Sequence, residues 1–273
     1  MSLASTWGHA GWPGVLPGQI AAMQLGSNFA LKALPVVALL ALAASAQAQT
    51  NAVGWRSLFN GQDLAGWTVQ CQPQDRDKIF WKAEQGAILC DALGRKNHNY
   101  VWLLSDREFG DFELRLKFQA YTNSPGNSGV QFRSRFDATA AGGWLDGPQV
   151  DLHPPAAMPW RTGLIYDETR EEKRWISPSL PDARMDPIFK PAQFIFKYAG
   201  DADGWNEFTL ICRGTRVRTI LNGVVRTDWD GAGVLDNAAH RRHNVGRTGH
   251  FALQLHSGDE LRIRFKDIEV REF

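Results

Sequence analysis

The sequence has few cysteines and almost no net charge, so it lacks the features of proteins that bind metals through thiolates or that bind nucleic acids. Only three cysteines occur in 273 residues, and Cys71, Cys90 and Cys212 show no C-x-x-C spacing, so we expect no zinc site built from thiolates. In an oxidising compartment Cys71 and Cys90 could pair, and three buried free thiols are the alternative. The formal net charge is +1, without an arginine-rich run or tail, which argues against nucleic acid as a partner.

The sequence also lacks an apolar run long enough for a good membrane span. Within residues 1–48, an apolar run over Ala33–Ala44 precedes the small-residue pattern Ala46-Gln47-Ala48. This arrangement is typical of a secretory signal peptide, and a membrane anchor or a buried helix is the alternative. We therefore expect translation to start at Met23 and cleavage to follow Ala48. The mature single domain, residues 49–273, would be periplasmic or secreted in a bacterium, without stable membrane insertion.

A long, capped helical period is absent, and alternation of apolar and polar residues takes its place. Residues 111–121, DFELRLKFQAY, alternate strictly, which is typical of a half-buried antiparallel strand. The Asn222-Gly223 pair between two apolar runs is typical of a tight hairpin turn. Together these patterns predict an all-β fold, a two-sheet antiparallel sandwich of jelly-roll type.

Aromatic residues are abundant, with 11 Trp and 15 Phe. They fill protein cores, but they also form the platforms on which sugar rings stack, so the composition leans towards carbohydrate binding. Trp144 lies in a Gly-rich segment, residues 137–147, and Trp175 in a long Pro-rich one, residues 170–204. Loops of this length are usually functional or disordered, and their aromatic content argues against disorder. We predict that they cover a site.

Several segments carry polar side chains on the face opposite their apolar ones. For any one residue, a polar outer face that confers solubility explains the pattern equally well. Together, however, carboxylate, imidazole, guanidinium and amide groups are what polyol binding and proton transfer require. These side chains are Arg133 in SPGNSGVQFRSRF, Gln149, Asp151 and His153 in GPQVDLHP, Tyr166 and Glu168 in TGLIYDETR, and Gln254 and His256 in FALQLHSG.

Over nearly all of residues 55–273 the sequence resembles the 3-keto-disaccharide hydrolase family, formerly a domain of unknown function. This resemblance implies the concanavalin A-like lectin/glucanase sandwich. It rests on six segments in order: SLFNGQDLAGW (57–67), GNSGVQFRSR (126–135), GPQVDL (147–152), TGLIYDE (162–168), GWNEFTLICRGTRVRTILNG (204–223), and GHFALQLHSG with RFKDIEV (249–270).

The resemblance further implies a carbohydrate substrate whose sugar a separate dehydrogenase has oxidised at C3. The ketone acidifies the hydrogen on C2, so a base can form an enolate and the group on C1 can leave by β-elimination, giving an enone to which water can add. Such a site needs a base, a donor or cation near O3, and an acid near the leaving oxygen. It does not need the carboxylate pair of a retaining glycosidase, and the E-x-D-x-x-E signature of laminarinase-type glucanases is indeed absent. A lectin-like binding module and an ordinary glycoside hydrolase remain alternatives.

Within this chemistry, we expect Asp151 or His256 to be the base, since each could shift the pKa of the other. Arg133 would stabilise the enolate or hold the ketone. Glu168 would act as the acid or orient Tyr166, and a salt bridge from Glu168 to Arg170 or Arg174 is the alternative. The residues expected to bind substrate are Asn127, Gln149, Tyr166, Gln254, Trp144 and Trp175.

No cofactor is certain, although a divalent metal such as Ca, Mn or Zn is possible. Carboxylates and imidazoles are suitable ligands for these ions, but their spacing in this sequence is not diagnostic. The residues concerned are Asp151, His153, Glu168 and His256.

The predicted signal peptide within residues 1–48 leads to a first testable prediction. Because a signal peptidase cuts after a small-residue pattern such as Ala46-Gln47-Ala48, mass spectrometry of the secreted or periplasmic fraction should find an N-terminus near Gln49. A full-length protein retained in the cytoplasm would contradict this expectation.

Overall fold

Sixteen β-strands account for about half of residues 54–154, 161–176 and 196–273, which are the residues described by the computed structural model. One short α-helix, α1 (Ala238–His243), and one 3-10 helix (Pro73–Asp75) accompany them. In these residues no helix is long and apolar enough to cross a membrane. In chain order the strands are β1 (Arg56–Ser57), β2 (Trp67–Cys71), β3 (Trp81–Glu84), β4 (Ala87–Asp91), β5 (Val101–Phe109), β6 (Phe112–Ala120), β7 (Ser128–Asp137), β8 (Trp144–Asp146), β9 (Pro148–Leu152), β10 (Ile165–Asp167), β11 (Arg174–Trp175), β12 (Asn206–Arg213), β13 (Arg216–Leu221), β14 (Val224–Asp230), β15 (Gly249–Leu255) and β16 (Arg262–Glu272).

The strands form two antiparallel sheets of eight strands each. The first sheet has the order β14-β13-β12-β6-β16-β4-β3, with β1 paired to β16. The second has the order β11-β10-β9-β7-β15-β5-β2, with β8 paired to β7. Many neighbours in these sheets are distant in sequence, as in the jelly-roll sandwich that the sequence predicts, and the predicted fold class is confirmed.

The local sequence patterns account for strand β6 and for the turn between β13 and β14. In β6 the apolar Leu114, Leu116 and Phe118 are buried, while the intervening Arg115 is exposed, as strict alternation requires. The Asn222-Gly223 turn joins β13 to β14, and both residues adopt positive φ angles, 47° and 82°. Such angles are typical of the type I′ turns that match the twist of a hairpin.

The apolar core lies between the two sheets. It joins inward residues of the first sheet, such as Phe118 and Phe265, to inward residues of the second, such as Val130, Val150 and Leu253. All three cysteines are free and buried, so the structure has three buried thiols rather than a Cys71–Cys90 disulfide.

A β-bulge interrupts β7 at Arg133. His250 pairs with Ser134 and Ala252 pairs with Gln131, so Phe132 and Arg133 together lie opposite the single residue Phe251. Arg133 has a φ of 50°, in the left-handed region that non-glycine residues seldom adopt. The bulge therefore ends the regular alternation that would place Gln131 and Arg133 on one face.

The side chain of Arg133 consequently points to one end of the sandwich rather than to a polar face. It is completely buried and donates hydrogen bonds to the carbonyl oxygens of Gly110 at 2.8 Å, Gly214 at 2.7 Å and Gly246 at 3.2 Å. It also pairs with Asp111 at 2.9 Å. Because these loops belong to different sheets, the guanidinium ties the end of the sandwich together.

This arrangement predicts a structural role for Arg133. The Arg133→Met variant keeps the apolar length but leaves three carbonyls without their donor, so it should lower the free energy of unfolding by about 3 kcal/mol or more. The matched control is Arg135→Met on the same strand, which removes a surface pair with Glu108 at 2.6 Å and should cost about 1 kcal/mol or less. Urea denaturation of both variants measures the difference, and equal effects would contradict the structural assignment.

Candidate active site

The face of the second sheet that points away from the core carries the predicted polar residues. In β9 the side chains of Val150 and Leu152 enter the core, so those of Gln149 and Asp151 lie on the opposite face. In β15 Leu253 and Leu255 enter the core, which places Gln254 on the same outer face. The alternation in the sequence therefore leads directly to a shared polar surface.

Strand register brings these residues into two adjacent rows. In the first row Trp175 pairs with Tyr166, Tyr166 with Gln149, and Gln149 with Gln131. In the second row Asp151 pairs with Gly129, and Gln254 pairs with Trp102. The two rows meet on β7 because Gly129 and Gln131 are two residues apart on that strand.

Gly129 leaves the space that Gln149 occupies. A Cβ atom at position 129 would lie 2.3 Å from Cδ of Gln149, a separation that real Cβ atoms do not show. The Gln149 amide therefore lies over the Gly129 backbone, and its Nε2 donates to Oδ1 of Asp151 at 3.4 Å. The glycine near the start of β7 is thus explained by the side chain that crosses it.

Aromatic rings border the polar rows. Tyr100, which precedes β5, stacks on Trp102 with ring centroids 5.5 Å apart, and Trp144 contacts both rings edge-on. Trp144 Nε1 donates to the backbone oxygen of Glu168 at 2.8 Å, and this hydrogen bond links the three rings to the residue that follows β10. On the other side of the rows Tyr166 contacts Trp175 at 5.2 Å. Rings at such positions can pack against the apolar faces of a sugar.

Asp151 is a buried carboxyl group with few partners. Its residue is 2% exposed, and burial raises its pKa to about 7, although the nearby Asn127 amide and Arg161 act in the opposite direction. Oδ2 of Asp151 has no hydrogen-bond partner. A carboxyl group with these properties can exchange a proton near neutral pH.

Glu168 is a second buried carboxyl group at this face. Burial raises its pKa, and a hydrogen bond at 3.3 Å from Nε2 of Gln254 opposes the shift. The predicted alternative, a salt bridge from Glu168 to Arg170 or Arg174, does not occur in the structure. Arg170 binds Asp146 and Asp137, and Arg174 binds Glu172.

A chain of hydrogen-bonding groups runs from Tyr100 through His256. The Tyr100 hydroxyl lies 3.0 Å from Nε2 of His256, and Nδ1 of His256 lies 3.2 Å from the Ser257 carbonyl oxygen and 3.5 Å from Oδ2 of Asp259. Asp259 Oδ2 also accepts the Asn127 backbone N–H at 2.7 Å. The contact with Asp259 raises the pKa of His256, so the imidazole holds its proton to a higher pH than an isolated histidine.

Among the described residues, six buried polar atoms on this face have no protein partner. Buried polar groups in native proteins are nearly always hydrogen-bonded, so a group of unpartnered ones needs an explanation. A ligand rich in hydroxyl groups would supply both donors and acceptors to them. These atoms are Oδ1 of Asn127, Oε1 of Gln131, Oε1 of Gln149, Oδ2 of Asp151, Oε1 of Gln254 and Nε1 of Trp102.

The structure brings together all but one of the residues expected from the sequence to form the site. Arg133 is the exception, and its predicted convergence with Asp151 and His256 is wrong because the bulge turns it into the end of the sandwich. The residues that the structure places at this face or its border are Asp151, His256, Glu168, Asn127, Gln149, Tyr166, Gln254, Trp144 and Trp175. Their roles remain predictions.

Three residues of the face were not singled out from the sequence: Tyr100, Trp102 and Asp259. The alternation of Tyr100 and Trp102 in NYVW was a usable signal, since Val101 between them is buried in the core. Asp259 had no such signal, because it lies in the turn after β15 and approaches His256 only through that turn.

The possible metal ligands do not form a recognisable metal centre. Within the three described ranges, no group of three or more His, Cys, Asp or Glu side chains could hold a metal ion. Nδ1 of His153 lies 2.8 Å from the Pro154 oxygen, next to residues 155–160, which lie outside the described residues.

Comparison with known structures agrees with the fold. A Parabacteroides distasonis protein provisionally assigned as a glycosyl hydrolase superposes with a TM-score of 0.51 at 16% identity, over 81% of this chain and 94% of its own. A second such protein from that organism gives 0.49 at 18% identity, over 80% and 99%. The Bacillus subtilis carbohydrate-binding module CBM66 gives 0.45 at 15% identity, over 76% and 96%. At these identities the likeness to the first structure shows a shared fold alone.

The sandwich with its polar, aromatic-bordered face is that of a carbohydrate-active β-sandwich protein. The profile of the 3-keto-alpha-glucoside-1,2-lyase-like domain family matches residues 54–271, and the chain belongs to that family. The family assignment made from the sequence is thereby confirmed. No curated protein sequence matches the chain.

The raised pKa of Asp151 predicts how stability depends on pH. The folded state binds this proton up to about pH 7, whereas the unfolded chain releases it near pH 4, so the folded state loses stability as the pH rises between these values. The Asp151→Asn variant mimics the protonated acid at every pH. It should be as stable as the wild type near pH 4 and more stable by about 2–4 kcal/mol above pH 7.5.

Urea denaturation at several pH values measures this difference. The control is Asp137→Asn, which removes a carboxyl group whose pKa is held low by hydrogen bonds with Thr139 and Arg170. That carboxylate stabilises the folded state when ionised, so its loss should destabilise the protein at high pH. A constant difference between wild type and the Asp151→Asn variant across the pH range would contradict the raised pKa of Asp151.

Proposed function

We propose that this protein cleaves the glycosidic bond of 3-keto-glycosides by removing the proton on C2 and expelling the group on C1. The observation that carries the proposal is Asp151, a buried carboxyl group with a pKa of about 7 amid unpartnered polar atoms. A general base is most effective when its pKa lies near the working pH. A glycoside without a C3 ketone has no C2 hydrogen acidic enough for such a base.

Asp151 is better placed than His256 to act as the base. Oδ2 of Asp151 is without a partner, whereas both ring nitrogens of His256 already contact Tyr100, Ser257 or Asp259. Asp151 would take the C2 proton, and the electron pair of the C2–H bond would form the C2=C3 bond of the enolate. Collapse of the enolate then forms C1=C2 and breaks the bond between C1 and the leaving oxygen.

The enolate oxygen on C3 needs a donor, and Arg133 cannot provide it from the end of the sandwich. Trp102 has a buried indole N–H without a partner on the same face. We assign this N–H to the developing oxyanion, where a preorganised donor contributes most. Asp259 raises the pKa of His256, which adds positive charge nearby when the imidazole is protonated.

The remaining groups fit recognition of a sugar. The amide oxygens of Gln131, Gln149 and Gln254 are acceptors that sugar hydroxyls can satisfy. Tyr166 with Trp175 on one side and Trp144 on the other can hold the ring by stacking. Residues 1–48 lie outside the described residues, and we propose on their sequence that the protein acts outside the cytoplasm.

The decisive experiment compares a glucoside with its 3-keto form. The purified protein should release the alcohol from the 3-keto form only. Asp151→Asn should lower that rate by about 10²-fold or more, and His256→Ala should also lower it, on the scale of general acid–base catalysis. Asp267→Asn, which changes an exposed carboxylate on the first sheet, is the matched control and should leave the rate unchanged.

The other outcomes identify the alternatives. Release from the unoxidised glucoside would indicate an ordinary glycoside hydrolase. Binding of either compound without turnover would indicate a carbohydrate-binding module. A near-wild-type rate in the Asp151→Asn variant would overturn the assignment of the base.

A further inference from the structure

Tyr100 has its ring held rigidly at the polar face of the second sheet. It stacks on Trp102 with an angle of 8° between the ring planes, while Trp144 and His256 contact it edge-on at 5.2 Å and 4.8 Å. Contacts on three sides leave the hydroxyl little freedom of position. A group held in this way loses little entropy when a ligand binds beside it.

The Tyr100 hydroxyl lies among the titratable groups of the site. Glu168, Tyr166 and Asp259 all interact with it electrostatically, and His256 Nε2 is 3.0 Å away. Burial raises the pKa of Tyr100, so the phenol keeps its proton throughout the physiological range. It can therefore donate a proton but cannot serve as a base in its resting state.

The groups behind His256 determine the direction of this hydrogen bond. Nδ1 of His256 faces two acceptors, the Ser257 carbonyl and the Asp259 carboxylate, so it carries a hydrogen. When the imidazole is protonated, Nε2 carries one as well and donates to the Tyr100 oxygen. The hydrogen of the phenol is then directed away from His256 and is free for a ligand.

We propose that Tyr100 protonates the leaving oxygen when the bond between C1 and that oxygen breaks, and that His256 returns a proton to Tyr100. The inference rests on the proposed function and adds a catalytic residue to it. The electron pair of the breaking bond goes to the leaving oxygen, which takes the phenolic hydrogen. The phenolate takes the hydrogen on Nε2 of His256, and the proton held by Asp151 and the one lost by His256 equilibrate with water after release.

Tyr100 suits this step better than Glu168. One carboxylate oxygen of Glu168 accepts a hydrogen bond from Gln254, and the backbone oxygen of Glu168 accepts one from Trp144. Glu168 therefore has contacts that position other side chains of the site. In the described contacts the Glu168 carboxylate accepts a hydrogen bond from the Gln254 amide, which cannot supply a proton. Tyr100 instead lies 3.0 Å from Nε2 of His256, which can replace its proton when the imidazole is protonated. Glu168 would instead hold sugar hydroxyls through Gln254.

The test is Tyr100→Phe, which preserves the ring stack and removes only the hydroxyl. Two reactions of a 3-keto-glucoside of a simple alkyl alcohol are followed in D₂O: deuterium entry at C2 and release of the alcohol. The variant should release the alcohol about 10²-fold more slowly, on the scale of lost general acid catalysis. It should still introduce deuterium at C2 because Asp151 is intact, even if the wild type eliminates too fast for exchange to be seen.

A second substrate, with a leaving group that needs no proton, extends the test of the Tyr100→Phe variant. Nitrophenolate departs as a stable anion, so release from the 3-keto nitrophenyl glucoside should fall less than about tenfold in the variant, because general acid assistance matters less for a weakly basic leaving group. Tyr121→Phe is the control, since its hydroxyl contacts Gln119 on the first sheet. It should change neither deuterium entry nor release.

The outcomes separate this inference from the proposed function. An inactive wild type with the 3-keto substrates overturns both. An active wild type with unchanged alcohol release in Tyr100→Phe overturns the role of Tyr100 alone. Equal loss of deuterium entry and release, or equal slowing of both leaving groups, shows that Tyr100 only positions the site and also overturns the proton-donor role.

Discussion

The apolar layer between the two sheets determines the orientation of the functional side chains. Once Val150, Leu152 and Leu253 enter the core, their neighbours along the strands must lie on the opposite face. Asp151 and Gln254 are therefore placed by residues that take no part in chemistry. A shift of register by one residue would exchange the two sets and would bury the carboxyl group in the core.

The polar face is stabilised less well than the rest of the fold, and this is consistent with a binding site. Among the described residues, six buried polar atoms without partners, together with a carboxyl group whose ionisation is disfavoured by burial, cost free energy in the unliganded protein. Active sites commonly trade stability for reactivity in this way. The bulge at Arg133, where a non-glycine residue adopts a positive φ, is by contrast stabilised by hydrogen bonds to three carbonyl oxygens.

The proposed proton-acceptor and proton-donor roles at this face follow from the environment of each group. Asp151 has lost the solvation that favours its charged form, so it is suited to receive a proton. His256 has gained a carboxylate partner in Asp259, so it is suited to hold one. The Tyr100 hydroxyl lies 3.0 Å from Nε2 of His256, which is the contact through which the proposed mechanism would transmit that proton. In the proposed mechanism, acid and base would be separated by their surroundings rather than by residue type, as in enzymes that use two titratable groups.

The sequence by itself determined the sheet structure, the Asn222-Gly223 turn, the family and most of the polar face. These follow from local patterns, because alternation with a period of two assigns each side chain to a face without knowledge of the partner strand. Only the tertiary structure decided the role of Arg133 and the membership of Tyr100, Trp102 and Asp259. A bulge depends on how two strands pair, so no local pattern in SGVQFRSRF distinguishes an arginine on the polar face from one buried at the end of the sandwich. Likewise, the contact of His256 with Tyr100 joins residues 156 positions apart, and it exists only because β5 and β15 are neighbours in the sheet.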